Sequence, residues 1–332
     1  MNNIIRRFKV AAAVALTAFT ATGFAQADAW PSRAITIIGG FPGGAGTDIY
    51  ARKLGDLLTK SLNVSIVVDS KTGAGGNIGS DFVARSAPDG YTYLLGTAGT
   101  HAINAALYSK LSFDVERDFT RIALLGDVPN VLLINPKKHP DIKTCADLLA
   151  AVRAKPGTFN YSSTGNGAST HLSAAQFANA AKIDIVHVPY RGQGPAMSAL
   201  LAGDVDLFLN QSAPAIASVK GGRTIALAVT SAQRLAALPD VPTVAEACKL
   251  PGFESSTWYG LFGPAKLPTD VANKMSDAVL KIVTTPEFKS WLIDTQGITP
   301  AVDPSPAAFA RVHQADIKKW AEIVKASGAK VD

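Results

Sequence analysis

The segment ITIIGGFPGGAGTDIYARKLGDLL, residues 35–58, decides how the chain reads. An apolar, β-prone run, Ile35-Thr36-Ile37-Ile38, leads into Phe41-Pro42-Gly43-Gly44-Ala45-Gly46-Thr47-Asp48. A helical pattern follows, with Tyr50, Leu54, Leu57 and Leu58 at i, i+4, i+7 and i+8. Thr47 or Asp48 suits the N-cap of that helix, expected over residues 47–62. The glycines then lie at its positive end, where small residues leave backbone N–H groups open to an anion such as a carboxylate or phosphate. A tight strand-to-helix turn without a ligand accounts for the same residues, and the local sequence leaves both readings open.

The strand–loop–helix alternation recurs along the chain. Strands are expected at residues 65–68, 93–96, 122–125, 131–134, 160–162, 184–188, 207–210 and 225–229, with helices at 145–154, 169–180 and 194–202. Such alternation implies an α/β fold with mostly parallel sheets whose strand-end loops carry the site. A closed (β/α)₈ barrel is the competing architecture, but the last 65 or so residues read as helices, at 270–284, 286–295 and 306–327. Gly126–Asn130 and Thr257–Pro264 look like crossings between two domains. The first domain is then residues 28–130 plus 255–332, the second 131–254, and the cleft between them is the default ligand site.

At 332 residues, 47% hydrophobic and 17% charged, the chain has ample material for packed cores. Its beginning reads as a signal peptide: Arg6, Arg7 and Lys9, a short apolar stretch from Val10 to Thr20, and the small-residue box Ala25-Gln26-Ala27, with cleavage expected after Ala27. The stretch is shorter than the ~20 residues that span a bilayer. Arg6-Arg7-Phe8-Lys9 partly matches a twin-arginine signal, and general secretion fits better. The expected product is an exported protein without stable membrane insertion. Cleavage leaves 29 basic residues against 26 acidic ones, a net +3 from scattered charges, which does not point to nucleic acid. Cys145 and Cys248 are the only cysteines; in an oxidising compartment they pair as a disulfide, or else serve as small buried fillers.

Two further loops resemble the first. Lys71-Thr72-Gly73-Ala74-Gly75-Gly76-Asn77-Ile78-Gly79 fails as a dinucleotide fingerprint, because Ile78 stands where the third glycine belongs, and neither glycine loop continues into a P-loop Lys-Ser/Thr. Tyr161–Leu172 is crowded with hydroxyls and invites a hydrolase reading with Ser169 as nucleophile. His171 breaks the GxSxG elbow and, two residues on, points to another helix face. Hydrogen bonding to a ligand, or capping by Ser163 or Ser169, suits this loop better. The histidines show no metal spacing and strand ends no paired carboxylates, so no metal, cofactor or catalytic role is expected. Arg191, at the end of the strand before Gly192, either pairs a ligand carboxylate or is a solvated surface arginine, the commoner case. Trp258 and Tyr259, at the second crossing, are either core aromatics or a grip on a ligand's apolar body.

Six segments carry a family resemblance: WPSRAITIIGGFPGGAGTD (30–48), GAGGNIGSDFVARSAPDGYTYLL (73–95), FNYSSTGNGASTHL (159–172), VPYRGQGPAMSALLAGDVDLFL (188–209), IALAVTSAQRLAALPDVPTVAEA (225–247) and WYGLFGPAKLP (258–268). In this order they resemble the Bug (TctC-like) periplasmic solute-binding proteins of tripartite tricarboxylate transport systems. The resemblance implies a two-domain Venus-flytrap fold of type II that closes on a small carboxylate and delivers it to membrane permease subunits, as a monomer. It also implies a ligand site built from Phe41, Gly43, Gly44, Ala45, Thr47 and Asp48 at the first loop and Thr97 at a strand end. Ser163, Thr164, Gly165 and Ser169 would come from the other domain, together with Tyr190, Arg191, Asn210 and Trp258. Asp69-Ser70-Lys71 and His101–Ala105 depart from the family pattern at segments bordering the cleft.

Overall fold

The computed structural model describes residues 30–327. The signal segment and its cleavage site lie outside them. In chain order the elements are β1 (Ile35–Gly39), α1 (Gly46–Leu62), β2 (Ile66–Ser70), α2 (Asn77–Ala84), β3 (Thr92–Thr97), α3 (Asn104–Leu107), β4 (Phe119–Ile134), α4 (Cys145–Ala154), β5 (Asn160–Ser163) and α5 (Ser169–Ala181). Then come β6 (Val186–Pro189), α6 (Gln193–Ala202), β7 (Leu207–Gln211), α7 (Ser212–Lys220), β8 (Ile225–Val229), α8 (Val244–Ala247), β9 (Ser256–Pro264), α9 (Thr269–Val283), α10 (Pro286–Trp291) and α11 (Pro306–Ser327).

The strands lie in the order β2-β1-β3-β9-β4-β7-β5-β6, with β8 also on β4. The sheet is open, with edges at β2 and β6, which excludes the closed barrel. In the first half β1, β2 and β3 are parallel, and β9 runs antiparallel between β3 and the beginning of β4. In the second half β5, β6 and β7 are parallel, and the end of β4 runs antiparallel to both β7 and β8. Each half is therefore a mostly parallel sheet with one reversed strand, flanked by helices.

The two stretches expected as crossings between domains are both strands. β4 continues for 16 residues through Gly126–Asn130, and the second crossing is β9 itself. Gly126, Asp127 and Pro129 carry turn signals locally, but they pair across to Tyr259, Trp258 and Ser256, and pairing outweighs local propensity. Two register shifts absorb the mismatch, between Arg121 and Ala123 and between Leu124 and Gly126.

Each half has two apolar cores, one per sheet face. The first half draws on residues 35–128 and 258–309, the second on residues 131–253. Cys145, at the start of α4, is disulfide-bonded to Cys248, just past α8, with Cα atoms 5.3 Å apart. A smaller cluster joins the halves: Leu172 of α5 packs with Leu107, Trp320 and Val324.

Candidate functional site

The carboxyl ends of the parallel strands from both halves face one cavity, as expected where open α/β sheets bind ligands. After β1 come Phe41, Pro42 and Ala45; after β2, Gly75; at and after β3, Thr97 and Gly99. From the second half come Thr164, Ala168 and Ser169 after β5, Gly192 and Gln193 after β6, and Gln211 at the end of β7. No charged side chain is among them. The cavity is about 30 Å³, room for one or two waters. It opens beside a chamber of about 420 Å³ walled by Gly73–Gly76, Gly165, Tyr190 and Arg191. On another side lies a groove of about 250 Å³ where Gly43 and Gly44 face Gln193, Gly194, Met197 and Arg223.

Four of the lining residues are helix N-caps: Ala45 for α1, Ala168 for α5, Gly192 for α6 and Gln211 for α7. None of the four helix starts has a side-chain cap. Each helix N-terminus presents unpaired N–H groups and about half a positive charge. The cavity thus gathers positive potential without a single cation.

The first of these starts differs from expectation. The N-cap of α1 is Ala45, with Gly46, Thr47 and Asp48 already inside the helix. Asp48 turns its carboxylate back to accept from the Gly44 N–H at 2.9 Å and from Arg52 Nε at 3.0 Å. Burial pulls its pKa upward, but the bonds from Arg52 and Gly44 outweigh that and hold it below the usual carboxylate value. The Ala45 N–H closes a turn onto Pro42 O. The glycine amide at position 44 is therefore occupied within the protein, and the open donors are those of the first helical turn. Gly46 is fixed by a close approach: a Cβ there would lie 2.6 Å from Tyr259 Oη and 3.2 Å from Gln211 Oε1.

The other expected residues divide by position. Thr97 is buried at the cavity, where its Oγ1 accepts from the Thr100 N–H at 3.2 Å and lies 3.5 Å from Thr100 Oγ1. Ser169 opens α5 on the cavity wall. Thr164 lines the wall too, with its N–H and hydroxyl both bonded to Thr170 Oγ1 at 3.0 Å. Ser163 is fully buried and turned to Gly165 and His187. Asn210 is buried beside the lining and accepts from Gln193 Nε2 at 2.6 Å. Tyr190 and the exposed Arg191 stand in the outer chamber.

Trp258 stands elsewhere. Its indole Nε1 donates to Asp316 Oδ2 at 2.7 Å and its ring packs edge-on against Phe309, on the α11 side of β9. Strand alternation sends the next residue, Tyr259, to the opposite face. There its hydroxyl donates to Gln211 Oε1 at 3.2 Å across the two halves of the sheet. Burial holds the Tyr259 phenol pKa well up, so it stays a donor. Ser169, the nucleophile of the hydrolase alternative, has no hydrogen bond to a histidine among the described residues: His171 Nδ1 accepts from the Gly167 N–H, and His187 meets Ser163. The hydrolase reading has no support here.

Of the cavity lining, the expected site leaves out Pro42, Gly75, Gly99, Ala168, Gly192, Gln193 and Gln211, and Tyr259 is expected only together with Trp258, as core aromatic or ligand grip. The strand-end rule could have found Gln211, one residue beyond Asn210. The Tyr259–Gln211 contact joins residues 48 apart and has no local signal.

Comparison with known proteins agrees with this geometry. Residues 50–329 match the family described as the tripartite tricarboxylate transporter family receptor, TctC. The UPF0065 protein in the tcbD–tcbE intergenic region of Pseudomonas sp. (strain P51) is 36% identical over 97% of this chain and 94% of its own length. Among solved structures, Rpa4515 of R. palustris with adipate is 31% identical with a TM-score of 0.86, covering 91% of this chain and all of that one. MatC (Rpa3494) from Rhodopseudomonas palustris with bound malate is 31% identical with a TM-score of 0.81, over 89% of this chain and all of that one. Bug proteins are among the further matches, one of them solved as a periplasmic binding protein. The chain belongs to the TctC receptor family of tripartite tricarboxylate transporters, and its fold is that of the family's two-domain α/β solute-binding proteins.

Proposed function

We propose that this protein is an exported receptor that captures a small organic carboxylate between its lobes and hands it to the permease subunits of a tripartite transporter. The ligand is an aliphatic or aromatic mono- or dicarboxylate, the receptor is a monomer, and it works in the periplasm after cleavage behind Ala27. The lobes are residues 28–130 plus 255–332 and residues 131–254, a division supported by the way the apolar cores draw on the chain.

One observation carries the reading: four uncapped helix N-termini meet at a cavity without a charged side chain. An anion is the solute that complements such a site, since it accepts hydrogen bonds from the free N–H groups and sits at the positive pole of each dipole. In this reading one carboxylate lies at the first turn of α1, between Ala45, Thr47 and Thr97, with Phe41 as an apolar wall. Thr164 and Ser169 close on the ligand from the other lobe, with Gly43, Gly44, Asp48, Ser163, Gly165 and Asn210 shaping the loops, and Tyr190 and Arg191 at the outer chamber. Thr47 Oγ1, in the first turn of α1, and Asn210 Nδ2, one residue before Gln211, are buried and have no hydrogen-bond partner among the described residues. The cavity of about 30 Å³ is too tight for such an acid, so the lobes part to admit it. The family's solved members with adipate and malate are of this ligand class.

A thermal-shift screen of C3 to C8 mono- and dicarboxylates against their neutral amides tests the proposal. At a hundred times its dissociation constant the cognate acid adds about 2.7 kcal/mol of stability, and its amide adds none. No response to any acid, or equal responses to acids and amides, would refute it.

A further inference from the structure

Two histidines outside the cavity lining hold the loop that supplies Thr164, Ala168 and Ser169. This loop, residues 163–169, has two glycines in left-handed or otherwise Gly-only conformations, Gly165 at φ 139° and Gly167 at φ 74°. Left to its own composition it would sample many shapes. Two side chains fix it. His171 Nδ1, one turn into α5, accepts from the Gly167 N–H at 3.0 Å. His187 Nε2, on β6, meets Ser163 Oγ at 2.6 Å, and Ser163 Oγ in turn bonds both the N–H and the C=O of Gly165.

The two imidazoles are stacked face to face, 3.8 Å between centroids and 4° from parallel, and Tyr161 stacks on His187 at 5.0 Å. No carboxylate pairs with either ring among the described residues. Burial lowers the pKa of His171 to about 4, and burial together with His171 lowers that of His187 to about 3. A protonated His171 Nδ1 would turn from acceptor to donor and face the Gly167 N–H, a donor against a donor.

We propose that His171 and His187 are positioning residues for ligand capture: they hold the 163–169 loop in its cavity-facing shape through the Gly167 N–H and Ser163 Oγ. Neither touches the cavity itself. The proposal rests on the reading of this loop as the ligand's contact on the second lobe, yet the order of the loop is measurable without a ligand.

The test therefore has two arms. In the first, amide hydrogen exchange of residues 160–172 is followed in the unliganded full-length protein. At pH 7 the Gly167 amide exchanges slowly in the wild type and at least tenfold faster in His171→Ala, while α4 is unchanged. His171→Asn, whose Oδ1 can stand in for Nδ1, restores most of the protection. In the wild type the same amide loses protection as the pH drops through about 4. In the second arm, calorimetry uses adipate as the probe, and affinity falls about tenfold in His171→Ala, the worth of one lost hydrogen bond, and recovers in His171→Asn. Equal Gly167 exchange in wild type and His171→Ala overturns the positioning role. If exchange responds but the wild type ignores adipate and every other acid of the screen, the receptor reading fails while the loop-holding role stands.

Discussion

Helix starts at the cavity and helix starts away from it are built differently. Away from it, Thr144 and Thr243 form complete capping boxes with Asp147 and Glu246, Thr285 caps α10, and Ser305 Oγ accepts from the Ala308 N–H at the start of α11. At the cavity, the caps are Ala45, Ala168, Gly192 and Gln211, and none supplies a side-chain bond. A cap substitution costs about 1 kcal/mol, so a protein selected only for stability would cap these ends too. On the proposed function, the four uncapped starts at the cavity leave their N–H groups for a ligand's oxygens. α9 starts at Pro268 among exposed residues without a side-chain cap, and α2 and α3, which begin directly after other helical turns, have none either, so a missing cap has more than one cause.

The capped region is also the one tied covalently. The Cys145–Cys248 bond links the start of α4 to the end of α8, both helices with capping boxes, and closes a loop of 103 residues. The chain-entropy estimate for such a loop is about 4.7 kcal/mol. In a Cys145→Ala/Cys248→Ala variant, chemical denaturation should show a loss of that order, while carboxylate affinity stays at the wild-type value because both cysteines sit in the second lobe's core and neither lines the cavity or its two neighbours. A large change in affinity would mean that the two regions are not independent.

A smaller effect is expected on the cavity side from Gly46→Ala. The added methyl would sit 2.6 Å from Tyr259 Oη and 3.2 Å from Gln211 Oε1, so the tyrosine hydroxyl must shift and the hydrogen bond joining the two halves is strained. Overpacking of this kind costs ~1–3 kcal/mol, and here it falls on the closed form. Calorimetry should show affinity reduced about tenfold or more, with the stability of the rest of the fold little changed. Unaltered affinity would show that the Tyr259–Gln211 bond plays no part in closure.

The legibility of the chain followed the same division. Strand–helix alternation, the glycine loop after β1 and the hydroxyl-rich loop after β5 were readable because each depends on periodicity and turn chemistry within a few residues. Three things were not. The crossings at residues 126–130 and 257–264 carry turn residues, and only pairing between distant segments makes them strands. Asp48 reads as an N-cap by composition, and its position three residues inside α1, reaching back to Gly44, is a matter of geometry. Trp258 and Tyr259 are adjacent and chemically alike, and which of them faces the cleft depends on a register set by β3 and β4. An anionic ligand was legible in the small residues ahead of the first helix and in the family resemblance, but its identity is not written there, since backbone N–H groups have no letter in a sequence.

The finest test exchanges the two kinds of helix start. Thr144→Ala removes a capping box remote from the cavity and should cost about 1 kcal/mol in denaturation, with carboxylate affinity unchanged. Ala168→Ser adds the missing cap to α5, where the backbone is already extended (φ −61°, ψ 155°) as an N-cap requires. Its hydroxyl would accept from an N–H that the ligand would otherwise use, so the unliganded protein gains up to about 1 kcal/mol and affinity falls severalfold. The two signs are opposite on stability, and only the cavity-side change reaches binding. If Ala168→Ser stabilised the protein and left affinity intact, the α5 start would not be reserved for a ligand, and the carboxylate would have to be held by α1, α6 and α7 alone.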